Sequence, residues 1–148
     1  MTHWPDQILH ARTRETHFDG RDILCFGDRP ADLNDMLARA LQTAPRREAV
    51  VSGQTRLTYS ALARQIAHLA GGLRSVGVAQ GCRVAILLSN RTEFLVTLLA
   101  CQRIGAIAVP VNIREGTPEL AFILSHSRAK VLIHGPEVAD RLPPSADL

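Results

Sequence analysis

The sequence predicts an α/β fold of three-layer type, in which parallel βαβ units follow an amino-terminal helix and a short hairpin. Three observations predict it. A helical stripe runs from Tyr59 to Val76, and continuous apolar runs stand at "VAILL" and "AIAVPV". Their order is strand, helix, strand, helix, strand with short connections, which calls for a parallel sheet with right-handed crossovers.

Residues 1–30 hold Trp4, Phe18, Phe26 and three histidines among many charges, without a sustained period. They read as an irregular arm ahead of an α/β half-domain at 31–134, with 135–148 as a truncated tail. In "ADLNDMLARALQTAP", Leu33, Met36, Leu37, Ala40 and Leu41 fall at helical spacing, Asp32 stands where a cap is needed and Pro45 stops the run. "EAVVSGQTRLTY" gives two β-prone pieces around Ser52, Gly53 and Gln54, a hairpin signal.

Thr58 is placed to cap the next helix, whose apolar positions Tyr59, Leu62, Ile66, Leu69, Leu73 and Val76 form one stripe closed by Gly77. Gly71-Gly72 within it suggests close packing rather than phosphate approach. After the Gly81 turn, "CRVAILL" suits a strand covered on both faces. Asn90 and Glu93 fit a capping box for the helix "RTEFLVTLLACQRIG", whose apolar residues lie on more than one face, so it should be buried on several sides. Gly105 ends it and "AIAVPV" follows as a strand. Thr117 and Pro118 suit N-cap and N1 of a further helix, and "AKVLI" is a third strand.

Pro110 cannot donate to a sheet ladder, so its strand should end or bulge there. Ligands of open α/β sheets bind just beyond the carboxyl edge, which makes Asn112 to Gly116 a candidate site rim. The plainer alternative is that "VNIREG" is only a crossover loop.

Composition excludes several classes of function. Net charge is +3, but the arginines are scattered, and one Trp with one Tyr offers little for base stacking, so no nucleic-acid partner is expected. Three cysteines without CxxC spacing indicate neither a disulfide framework nor a zinc site and suit a reducing cytoplasm. The apolar runs are too short for a transmembrane segment. The histidines show no HxxxH or HExxH spacing, so no metal ligands are assigned. There is no GxGxxG, no GxxxxGK[ST] and no GxSxG, and Cys101 sits in an apolar run as a core residue would, so no catalytic residue is assigned.

The order of motifs resembles the amino-terminal part of adenylate-forming acyl-CoA synthetases, the AMP-binding superfamily. "LTYSAL" is similar to that family's first core motif, "GVAQGCRVAILLSN" to its Gly-Val-x-x-Gly-Asp-Arg-Val segment, and "RIGAIAVPVN" to its second core motif. "TPELAFILSHSRAKVLI" resembles the helix and strand that come next. Cys82 departs from the pattern, which usually has Asp there, and this bears on local stability.

The resemblance implies part of a large α/β domain and an enzyme that couples a carboxylic acid to ATP, with Mg²⁺, giving an acyl-adenylate. The acyl group then passes to the thiol of CoA, as in fatty acid metabolism. It also implies that the Ser/Thr/Gly-rich phosphate loop and the catalytic lysine lie outside these residues, so the chain alone is expected to be inactive. Asn112 and Arg114 would lie near the CoA nucleotide, where Arg114 could pair with a phosphate. Two alternatives stay open: a non-catalytic CoA- or nucleotide-binding module, and a piece that complements a larger partner. As part of a ligase, the chain should expose an apolar face that favours self-association.

Overall fold

A computed structural model describes residues 12–144. The chain divides into two compact units, 1–32 and 33–148. The first is an antiparallel hairpin of β1 (Arg12–His17) and β2 (Arg21–Phe26), in register from Arg12 opposite Phe26 to His17 opposite Arg21. This corrects the expectation of an irregular arm. Asp19-Gly20 is a hairpin turn signal, and Phe18, Asp19 and Gly20 all take positive φ there. The half-buried positions of β1 are Glu15 and His17, so the strand shows no apolar alternation. Trp4, His3 and His10 lie outside the described residues.

The second unit starts with α1 (Leu33–Thr43), whose Leu37 is buried while Leu33 and Met36 are exposed. The inward stripe is thus narrower than the spacing suggested. β3 (Glu48–Ser52) and β4 (Thr55–Thr58) pair antiparallel around a two-residue turn, where Gly53 has φ 57°. The Thr58 hydroxyl accepts from the Ala61 amide at 3.2 Å and caps α2 (Tyr59–Ser75), as read from the sequence. Gly77 follows with φ 83°. Leu62, Ile66, Ala70 and Leu73 form the buried face, whereas Val76 at the helix end is exposed. Nothing lies within 4 Å of a Cβ added at Gly71 or Gly72, so the close-packing role expected of them is not there.

β5 (Arg83–Leu87) is the central strand of a parallel sheet with order β6-β5-β7, formed with β6 (Ile107–Pro110) and β7 (Ala129–His134). Val84 through Leu87 are all essentially buried, which explains the unbroken apolar run: alternate residues serve opposite cores. Val84 packs with α2 and α3 (Thr92–Ile104) on one face. Ala85 and Leu87 pack on the other with Leu120 and Leu124 of α4 (Thr117–Ser127) and with Val138. Each fully buried Ile or Leu here contributes about 1.5–3 kcal/mol relative to an exposed one.

α3 is buried on several sides, with Val96, Thr97, Ala100 and Cys101 inside, and Gly105 ends it in the left-handed region at φ 71°. Two cap assignments change. The N-cap of α3 is Arg91, without a side-chain cap bond, which removes the capping box centred on Asn90. The N-cap of α4 is Gly116, so Thr117 is the first helical residue; its hydroxyl instead donates to the Arg141 carbonyl at 2.9 Å. Residues 136–141 form a 3₁₀ helix whose Val138 is 1% exposed, so this part of the expected tail belongs to the core.

Candidate functional site

The loop after β5 leads to α3 on one face of the sheet, and the loop after its neighbour β6 leads to α4 on the other. Between them the connections part, which is the switch-point geometry at which open α/β sheets bind ligands. A cleft of about 490 Å³ opens there. Ser89 and Asn90 line it from the first loop, Phe94 from α3, Pro110 from the end of β6, and Asn112 and Arg114 from the second loop. Both residues singled out in the sequence, Asn112 and Arg114, therefore stand on one rim.

The rim is built locally. Pro110 pairs opposite Ile86 as the last residue of β6, and the Val111 amide still donates to the Ile86 carbonyl at 2.9 Å. The Asn112 side-chain oxygen then accepts from the Arg114 amide at 3.0 Å, and the Glu115 amide donates to the Asn112 carbonyl at 3.2 Å. Asn112 thus shapes the turn. Arg114 is exposed, and no described residue holds its guanidinium by a hydrogen bond or ion pair. It is available to an anion entering the cleft.

A residue that the sequence did not single out holds this rim from behind. The Arg141 guanidinium donates to the Glu115 carbonyl at 3.0 Å and to the Ile113 carbonyl at 2.8 Å. The opposite rim is tied by charge. Arg91 grips Glu93 with Nε at 2.9 Å and Nη2 at 3.3 Å, and its Nη1 lies 3.7 Å from Glu137, which also accepts from the Ser89 hydroxyl at 3.3 Å. The hydrogen bond from Arg91 holds the Glu93 carboxyl below the usual glutamate range.

Beside this lies a second cleft of about 370 Å³ between the β3–β4 hairpin and the start of α3, lined by Ser52, Thr55, Arg91 and Thr92. Thr92 is 8% exposed, and its hydroxyl has no hydrogen-bond partner among the described residues.

Neither cleft gathers a nucleophile and its base. Cys101 is fully buried, and that burial pushes its thiol up. No group of three metal-ligating side chains converges on either cleft among the described residues. One such group exists in the first unit, where Glu15, His17 and Cys25 meet. Linear spacing concealed it, since Cys25 is brought over by strand pairing. No helix among the described residues is long and apolar enough to cross a membrane.

A parallel α/β sheet covered on both faces, with a cleft at its switch point, places the chain in the class of open α/β domains, which as a rule bind ligands at such a cleft. The AMP-binding enzyme family matches residues 37–147, and the chain belongs to that family. A feruloyl-CoA synthase from Amycolatopsis sp is 49% identical over 102 residues, 69% of this chain and 21% of that protein. The long-chain-fatty-acid–CoA ligase FadD13 of Mycobacterium tuberculosis is 39% identical over 102 residues, 68% of this chain and 20% of its own length. The chain thus spans about a fifth of the length of these curated relatives.

Among solved structures, the inhibitor-bound N-terminal domain of FACL13 from Mycobacterium tuberculosis matches with a TM-score of 0.68 and 38% identity, over 71% of this chain and 27% of that one. A benzoate CoA ligase from Burkholderia xenovorans LB400 has a TM-score of 0.69 at 22% identity, over 72% of this chain and 22% of that one, a likeness of fold alone. The fold matches part of the N-terminal domain of adenylate-forming acyl-CoA synthetases.

Proposed function

We propose that these residues form the opening part of the large domain of an ATP-dependent carboxylic acid–CoA ligase. The whole enzyme would join the acid carboxylate to ATP, release pyrophosphate, and pass the acyl group to the CoA thiol. The observation that carries this reading is the placement of Asn112 and Arg114 on the switch-point cleft of a chain in the AMP-binding enzyme family. The CoA-ligase names of the curated relatives support it. ATP, Mg²⁺ and CoA would be used by the whole enzyme, with Mg²⁺ held by groups outside these residues.

In this reading Arg114 pairs with a phosphate of CoA, and Asn112 holds the turn that presents it. The described cysteines are free thiols, which suits a cytoplasmic enzyme. Ile107 on β6 at the sheet edge and Phe122 on α4 are exposed apolar side chains of the kind that would favour self-association.

The test is steady-state kinetics of the full-length ligase with CoA as the varied substrate. Arg114→Ala should raise the KM for CoA about 10- to 100-fold, the loss expected of one charged hydrogen bond, with kcat retained. An unchanged KM would remove the CoA assignment, and absence of acid-dependent pyrophosphate release would remove the ligase reading.

A further inference from the structure

The hairpin unit places three side chains of different metal-ligating chemistry on one face. Glu15 and His17 are two apart on β1 and so point to the same side. Cys25 pairs opposite Thr13, which lies on that side too, and this sets its thiol diagonally from Glu15. One donor atom from each of the three lies within 4.8 Å of the others, and all three residues are half-buried. His17 Nε2 already sits 3.0 Å from Glu15 Oε2.

We propose that Glu15, His17 and Cys25 form a binding site for a borderline-soft divalent transition-metal ion of the Zn²⁺ type. A thiolate, an imidazole and a carboxylate are the donor set such an ion takes, and their tetrahedral bond lengths put neighbouring donors about 3.4–3.6 Å apart. Rotamer adjustment of about 1 Å in the outermost donor reaches that spacing. Three protein donors leave a fourth position open to water or a small anion. The three residues lie between positions 15 and 25, ahead of the family match at 37–147.

Arg29 is the competitor. Its guanidinium holds both Glu15 oxygens, at 2.7 and 2.6 Å, and Thr13 donates to one of them at 3.3 Å. The pair is open to solvent, which screens it, and a metal ion competes with Arg29 for the same carboxylate. Thiolate and carboxylate together balance the two charges of the metal, and the thiol proton is released on binding.

The experiment is titration of the full chain with Co²⁺, read by the sulfur-to-cobalt charge-transfer absorption, and competition by Zn²⁺ read by calorimetry. One Co²⁺ per chain is expected, with a thiolate band lost in Cys25→Ser and in His17→Ala and kept in Cys82→Ser. Arg29→Ala should tighten binding by freeing Glu15. Far-ultraviolet circular dichroism checks that each variant keeps its fold, and Glu15→Gln, which preserves side-chain shape, should weaken binding without touching the thiolate. No saturable Co²⁺ binding, a band that survives Cys25→Ser, or Zn²⁺ that fails to displace Co²⁺ would overturn the site.

Discussion

The guanidinium of Arg141 donates to the carbonyl of Ile113 at 2.8 Å across 28 positions of sequence. With the second bond to the Glu115 carbonyl, it pins the rim that carries Arg114 to the 3₁₀ segment. Arg141→Ala should leave two carbonyls without their partner and cost about 1–3 kcal/mol. Arg141→Lys should recover only part, because one ammonium does not reproduce the planar fork. Amide hydrogen exchange at 113–116 is the readout: faster exchange there, with α2 amides unaffected, is expected. Unchanged protection would mean that Asn112 alone holds the turn.

Arg91 and Glu93 give the opposite rim a pH dependence with a defined sign. The Glu93 carboxyl titrates below its ordinary 4.5, chiefly through the Arg91 hydrogen bond. A depressed carboxylate pKa contributes stability that is present above the unfolded value and is lost as pH falls through the folded one. Below pH 4.5 the tie should therefore weaken and the Arg91 grip on α3 loosen. Carboxyl chemical shifts followed by NMR should show Glu93 titrating late, and Arg91→Gln should return it toward the ordinary value. A Glu93 midpoint unmoved by that change would assign the depression to the helix backbone instead.

The βαβ core was legible because its signals are local. Val84 to Leu87 form an unbroken apolar run, Thr58 and Gly77 bracket α2, and Gly105 and Pro110 bound the next helix-to-strand junction. Of the candidate site, the rim at 112–116 follows from the end of a strand and the choice of Asn112 and Arg114 from the family resemblance, whereas Arg141 reaches the same loop only through tertiary packing that no local period encodes. The β1–β2 hairpin was missed for a different reason. Its half-buried positions include Glu15, His17 and Cys25, so the usual apolar alternation is absent and only Asp19-Gly20 announces the turn.

Gly71 and Gly72 offer a stability gain that the sequence alone would not suggest. Both are exposed in α2, and a Cβ at either meets nothing within 4 Å. Glycine in a helix interior costs about 0.5–1 kcal/mol relative to alanine. Gly71→Ala and Gly72→Ala should each raise the melting temperature of the chain by about 2–4 °C. A drop in either variant would show that the glycine accommodates a contact in solution.

Arg128 supplies the converse case. It ends α4 in the left-handed region at φ 51°, ψ 45°, with its amide donating toward the carbonyls of Leu124 and Ser125. A side chain bearing a Cβ pays about 1–2 kcal/mol for that conformation, which glycine does not. Glycine also loses more freedom on folding, so the net gain from Arg128→Gly should be smaller, about 0.5–1 kcal/mol. Arg128→Ala separates the two causes, since it removes the charge and keeps the strain. Chemical denaturation should rank Arg128→Gly above the native chain and Arg128→Ala at or below it. Equal gains from both would place the effect in the arginine charge rather than in the backbone.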